Sequence, residues 1–405
     1  MALPATLLLL LLPLPVAGDP SQDALLFQAP QGDPEAVNLG VRWGSLTPTG
    51  VIHIDLSTVT SATSSFEFRT RDAEGPIFSG DTGGGDWFVL GLRRGQLEVQ
   101  LQNSVTNLSA AAGPRLDDGR WHRLSVSSEG HAVLLELDGA PALTLRHVAA
   151  PLARHPLPTM RIAPGGLLWP PTRLLDPLDP AMDGCMRRWD WLNQTVAWGQ
   201  GSSGGPPKPC FRTLLPGSFF AGGGAIFTTA DLVPDPPAPE GGWELVVELG
   251  VRAPSQTGLI LAITDANTSL VLSLSLTPTA LTLRLDQGGQ LSLPLPPGCP
   301  CPVDAVGLHV GPASLSLRLG AQHTCTPLAA PALRLRTAWT SPHGRLHLGA
   351  LPEAAEGPGP FQGCLHGLQV QGQELDLDAA LAKSNAIWSH GCPGNGGHRV
   401  GCTCP

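Results

Sequence analysis

The sequence predicts an all-β protein made of two tandem antiparallel β-sandwiches, and three observations carry that expectation. Apolar residues recur with period two in short runs, such as "VLLEL" at 133–137 and "LTLRL" at 281–285, which sorts side chains onto opposite faces of a strand. Glycine (49) and proline (42) together exceed a fifth of the 405 residues, a composition of many turns and short strands. Four sequence blocks also recur in order about half a chain apart: "GVIHIDLSTV" with "GAIFTTADLV", "GQLEVQLQN" with "TALTLRLDQGG", "PTMRIAPGGLL" with "GRLHLGALPEAA", and "DGCMRRWDWLNQ" with "QGCLHGLQVQGQ". One structural unit is written twice.

In chain order, Leu7–Leu12 is an apolar run of signal-peptide length and Val16-Ala17-Gly18 supplies small residues for cleavage, so 1–18 reads as a secretion signal. Residues 19–36 form an N-terminal segment, 37–210 the first unit, 211–392 the second and 393–405 a tail. "GQGSSGGPPKP" inside the first unit's last loop has linker chemistry. Helical periodicity is nearly absent, its best exception being a turn around Leu377–Ala382. No later stretch reaches about 18 uninterrupted apolar residues, so no membrane anchor is expected. The net charge of −9 comes without a basic run, which argues against a nucleic-acid partner.

All nine cysteines follow residue 184. With a secretion signal, disulfides are the default. Cys185–Cys210 closes the end of unit one and Cys364–Cys392 the end of unit two, at similar spacing. Cys325 is expected to join Cys299 or Cys301, and the odd count leaves at least one thiol unpaired. Asn107, Asn193 and Asn267 head glycosylation sequons.

The functional signal lies in the phase of the strands. "GDWFVLGLRRGQLEVQLQN" (Gly85–Asn103) reads as a hairpin turning at Arg94–Gly95, with Phe88, Leu90 and Leu92 on one face and Leu97, Val99 and Leu101 on the matching one. Asp86 and Asn103 fall in phase with these apolar stripes, and Ser64 falls in phase with Phe66 and Phe68 in "TSSFEFR". An apolar slot with a few placed polar groups is the usual form of a small-molecule site. A serine donor, a carboxylate acceptor and an amide suit a rigid hydrocarbon ligand with an oxygen at each end, which is a steroid-like shape. Asp72 and Glu74 in "RDAEGP" share one side of a turn, a spacing compatible with calcium.

No H-E-x-x-H, G-x-S-x-G or Walker loop is present. Nothing assembles a nucleophile, base and orienter, and no partner carboxylate in phase with Asp86 supplies the acid pair of a glycosidase. The expectation is a binding protein and not an enzyme. An adhesion or receptor-binding module without an inner pocket is the alternative; the absence of a basic run and of EGF- or Gla-type cysteine arrays weighs against it.

"SSFEFRTRDAEGPIFSGDT", "DWFVLGLR", "AGPRLDDGRWH", "VLLELDG", "MRIAPGGLL" and "DGCMRRW" resemble a laminin G-like domain. With "RLHLGALP", "CLHGLQVQGQELDLDAAL" and "IWSHGC", residues 36–392 resemble the steroid-carrying globulins of that family. The resemblance implies two jelly-roll-type laminin G-like sandwiches, of which the first binds androgens or oestrogens and forms a homodimer. It implies Ser64 as steroid anchor, Asp86 and Asn103 at the ligand's other oxygen, and Phe88, Val126, Val133, Met160 and Leu192 as apolar wall. It implies calcium at Asp72, Glu74 and the Ala181 carbonyl, and a mobile loop at Pro151–His155 over the pocket mouth. Two departures stand out. Ser128 replaces a wall methionine, and Ser104 replaces the histidine beside Asn103, which puts a zinc site shared with Asp86 and His155 in doubt.

Overall fold

In the computed structural model, the structure describes residues 32–40, 44–45, 48–82, 85–129, 131–148, 159–194, 208–233, 243–252, 257–286, 288–295, 303–328, 332–352 and 358–394. The signal segment, the Pro151–His155 loop, the core of the glycine-serine linker and most of the tail lie outside them, as do Cys299, Cys301, Cys402 and Cys404.

Twelve strands build the first sandwich: β1 (Val37–Asn38), β2 (Ile52–Asp55), β3 (Thr63–Thr70), β4 (Gly75–Asp81), β5 (Trp87–Arg93), β6 (Gln96–Gln102), β7 (Asn107–Ala112), β8 (His122–Glu129), β9 (Ala132–Leu137), β10 (Ala140–Leu145), β11 (Thr159–Pro164) and β12 (Gly184–Asp190). They form two six-stranded sheets, ordered β1-β12-β3-β8-β9-β10 and β2-β11-β4-β5-β6-β7. The period-two stripes set the register: Leu90 stands opposite Val99, and Phe66 opposite Leu124. Burial of these stripes between the sheets drives the packing. Phe66, Phe68, Ile77, Leu90, Leu92, Leu97 and Val99 are each at most 1% exposed.

The second sandwich repeats the plan. Leu245–Arg252 lies between Val303–Val310 and Gln362–Val370, as β3 lies between β8 and β12. Gly258–Thr264 lies between Leu270–Leu276 and Arg345–Leu348, as β4 lies between β5 and β11. The Cys185–Cys210 and Cys364–Cys392 disulfides close the two units, with sequence separations of 25 and 28.

One expectation is corrected, and one helix forms that the sequence pattern does not announce. Cys325, expected to pair with Cys299 or Cys301, is free and exposed; it sits on the outermost strand (Gln322–Pro327) of its sheet with Ser316, not a cysteine, as its cross-strand neighbour. The one α-helix among the described residues is Leu333–Thr340, whereas the turn near Leu377 is a three-residue 3-10 element, Leu377–Ala379. "LRLRTAWT" alternates like a strand; its two turns are held by burial of Leu335, Ala338 and Trp339, and packing overrides local pattern in so short a helix.

The sandwiches are joined by polar contacts to backbone. The Arg69 guanidinium donates to the carbonyls of Phe211 and Arg212, and Lys208 Nζ donates to the Ile387 carbonyl at 2.7 Å. The Trp121 ring of "DDGRWH" has the Arg69 and Arg187 guanidinium groups 4.6 and 4.1 Å from its centroid, so its role is packing.

Candidate functional site

The first sandwich differs from the second in how it fills. In the second, inward residues such as Leu261, Ile263, Leu272, Leu274, Leu308 and Val310 are at most 1% exposed. In the first, Phe88, Val126, Val133 and Met160 pack against the core yet remain half-buried. Ser128, in register with Val133, is half-buried too and supplies less bulk than an apolar side chain. Gly80 lies on the same inner row: Ile162 and Phe88 are its register partners. A Cβ built there meets, among the described residues, only the Arg161 carbonyl at 3.3 Å and Ile162 at 4.0 Å, both from its own sheet. The inner face of this sheet therefore has open space above Gly80.

Ser64 stands on β3 opposite Val126 and is 7% exposed. Its hydroxyl accepts the Leu192 N–H at 3.1 Å. A hydroxyl has one proton to give as well, and Ser64 donates it to no group among the described residues. Leu192 is presented by a tight bridge between Trp191 and Gln194 in which Leu192 and Asn193 take φ of 54° and 59°. Beside it, Phe66, Phe78 and Trp191 pack with ring centroids 5.1–5.7 Å apart, and Phe78 continues to Phe88 at 5.7 Å.

The hairpin places the other two polar residues together. Trp87 pairs with Gln102, so the next register step sets Asp86 opposite Asn103, at the ends of β5 and β6. Asn103 is a turn organiser: its Oδ1 accepts the N–H groups of Val105 and Thr106 at 2.8 and 2.9 Å, and its Nδ2 donates to the Val148 carbonyl at 2.8 Å. Val148 follows β10 of the facing sheet, so Asn103 ties the two sheets at the rim. One of its amide protons remains. Ser64, Asp86, Asn103, Phe88, Val126, Val133, Met160 and Leu192 all belong to the first sandwich, and the apolar five join its core cluster.

The acidic turn is assembled differently from its spacing. Asp72 is 5% exposed and accepts the N–H groups of Glu74 and Asp183 at 3.1 and 3.0 Å. Glu74 turns away to Arg93, 3.6 Å off. Asp72, Ala181, Asp179, Asp183 and Asp378 instead line a cleft of about 310 Å³ between the two sandwiches, together with Lys208 and Lys383. Metal-ligating atoms of Asp72, Asp378 and His390 lie within 4.8 Å of one another. Burial pushes the Asp72 carboxyl up to about 7, with His390 opposing and Asp183 reinforcing the shift. Burial alone would lower His390, but Asp72, Asp183 and Asp378 raise it to about 10. The donor chemistry of Asp72, the Ala181 carbonyl and Asp378 fits a hard cation, whereas Glu74 does not join that set. Asp378 and His390 escaped sequence reasoning, since some 300 residues separate them from Asp72 and only the docking of the sandwiches brings them together.

For zinc, Ser104 is exposed and offers no imidazole beside Asp86, and His155 lies outside the described residues. The three sequon asparagines are exposed, and Asn193 Nδ2 donates to Thr60 Oγ1 at 3.2 Å.

Two sandwiches of this topology, the first with a half-open inner face, define a tandem laminin G-like protein. A Laminin G domain family model matches residues 68–197. The mouse laminin alpha1 chain, domains LG4-5, superposes with a TM-score of 0.68 at 18% identity, covering 91% of this chain and 96% of that one. The sex hormone-binding globulin of Crocuta crocuta is 42% identical over 368 residues, 89% of this chain and 90% of that protein. That of Homo sapiens is 41% identical, over 90% of this chain and 89% of that protein. The chain belongs to the sex hormone-binding globulin family.

Proposed function

We propose that this protein is a secreted carrier that binds androgens or oestrogens between the sheets of its first sandwich. The observation that carries the reading is the contrast between sandwiches: inner-face residues around Ser64 stay half-buried in the first, and their counterparts in the second are sealed. The apolar walls supply affinity at roughly 25 cal/mol per Å² of ligand and protein surface buried. The polar groups orient the ligand. Ser64, with a proton to donate, receives a carbonyl oxygen at one end. Asp86 accepts only, so it selects a hydroxyl at the other end, and the remaining Asn103 N–H donates to that oxygen. Such a site carries and releases its ligand without chemistry on it.

Two disulfides support an oxidising, extracellular destination, and the exposed sequons are compatible with it. Calcium would be held by Asp72, the Ala181 carbonyl and Asp378, where its charge offsets clustered carboxylates. Homodimerisation through an open sheet edge, β7 or β10, belongs to the same reading.

Binding of tritiated steroid to the Ser64→Ala and Asp86→Ala variants tests the site. Each loses one hydrogen bond, and loss of about fivefold to a hundredfold in affinity is expected. Wild-type affinity in both variants would remove these residues from the site.

A further inference from the structure

The Thr82 hydroxyl is a buried side-chain oxygen with no hydrogen-bond partner among the described residues. Leaving a buried hydroxyl unpaired costs about 1–3 kcal/mol, so a native chain that retains one has a reason for it. Its position supplies the reason. Along β4, Phe78 packs into the inner core, Ser79 points outward to the Gly166 carbonyl, and Asp81 pairs outward with Arg161. Alternation therefore puts Gly80 and then Thr82 on the inner face. Asp81 pairs with Trp87 and Arg161, and the Thr82 N–H donates to the Asp86 carbonyl at 3.4 Å. One register step beyond Asp81, and next after Gly80 on the inner face, Thr82 thus stands between Met160 and Asp86, with Asn103 next in the row.

We propose that Thr82 is a fourth polar contact of the ligand, resting on the steroid reading above, and that it sets which oxygen functions the Asp86 end accepts. Asp86 as a carboxylate cannot hydrogen-bond a carbonyl, and Asn103 has already committed its oxygen and one proton to the chain. The Thr82 hydroxyl both donates and accepts. It lets the same end hold a hydroxyl, shared with Asp86, or a ketone, shared with the free Asn103 proton.

The test compares three 3-keto-5α-androstanes that differ only at carbon 17: a 17β-hydroxyl, a 17-ketone, or hydrogen. Of the two terminal oxygens in the first, only the 17-hydroxyl can donate to Asp86. Thr82→Val keeps the β-branched shape and removes the hydroxyl. The expected result is about a fivefold loss of affinity for the hydroxyl and ketone probes, one neutral hydrogen bond's worth. Affinity for the 17-deoxy probe stays within twofold, and Thr82→Ser restores the oxygenated probes. Equal losses for all three probes, or no loss for any, would overturn the assignment while leaving the steroid reading intact. Wild-type protein that binds none of the three probes would overturn both. Should Thr82→Val fold poorly, Thr82→Ser against Thr82→Ala makes the same comparison.

Discussion

Ser64 and Asn103 are both polar on an apolar stripe, but they meet the chain differently. Ser64 accepts one backbone N–H and keeps its proton, whereas Asn103 spends most of its capacity on its own turn and on Val148. Asn103 is therefore a structural residue with one proton to spare, and its substitution is expected to disturb the rim as well as the ligand. Gly80 gives a cleaner probe of the slot. The space above it is open on the facing side, so Gly80→Ala is expected to change stability by under about 1 kcal/mol. Steroid affinity should drop by about tenfold or more, because the added methyl takes volume from the ligand. Urea unfolding and steroid titration separate the two quantities. A variant that binds as the wild type does would place the ligand elsewhere. The phase of Ser64, Asp86 and Asn103 was legible in sequence because period two is local. The split roles of Ser64 and Asn103 were not, since Leu192 and Val148 are remote in the chain.

At the scale of elements, the β5–β6 hairpin fixes the site by its register. Arg94 and Gly95 turn with φ of 53° and 82°, the left-handed pair that tight hairpins require. A Cβ at Gly95 would collide with the Asp117 carboxylate. Gly95→Val is expected to destabilise the first sandwich by about 1–3 kcal/mol and to weaken binding, since a one-residue slip would turn Asp86 and Asn103 outward. A chevron or urea midpoint unchanged from wild type would contradict this. On the strand Arg345–Leu348 of the second sandwich, His347 is 3% exposed and pairs with Thr264 Oγ1 at 3.0 Å. Burial, assisted by Arg345, lowers it to about 4. The folded pKa lies below the ordinary 6.5, so the unfolded chain binds the proton first. This residue's contribution is fully present above pH 6.5 and is lost as pH falls toward 4, on the order of 2–3 kcal/mol. Wild type should lose more stability between pH 7 and 4.5 than His347→Gln, as read by urea unfolding at the two pH values. The strand alternation around His347 was visible in sequence, but its burial on the outward face was not, because covering segments are non-local.

The whole molecule adds what neither sandwich has alone. The cleft that gathers Asp72, Asp183, Asp378 and His390 exists only where the two units dock. A cation held there would bind the folded, docked form. Calcium in excess is therefore expected to stabilise the folded protein by about 2.7 kcal/mol at a hundredfold excess over Kd, read as a higher thermal midpoint than that of chelated protein. Asp72→Asn and Asp378→Asn should each abolish most of that rise. A midpoint indifferent to calcium would reject the site, and one that responds in Asp378→Asn as in wild type would confine it to the first sandwich.

By itself, the sequence determined the sandwich class, the twofold repeat, the disulfide closures and the inward phase of Ser64, Asp86 and Asn103. Each follows from short-range periodicity or from spacing that the chain repeats. Tertiary structure decided that Glu74 pairs with Arg93 and leaves Asp72 to the second sandwich, that "LRLRTAWT" coils under Trp339, and that Cys325 stays free. It also decided that, among the described residues, Phe88, Val126, Val133 and Met160 of the first sandwich stay half-buried while Leu261, Ile263, Leu272 and Leu308 of the second are sealed. These outcomes turn on which surfaces meet, and a residue's partners across sheets and between domains are set by the packing of the whole chain, which no local pattern encodes.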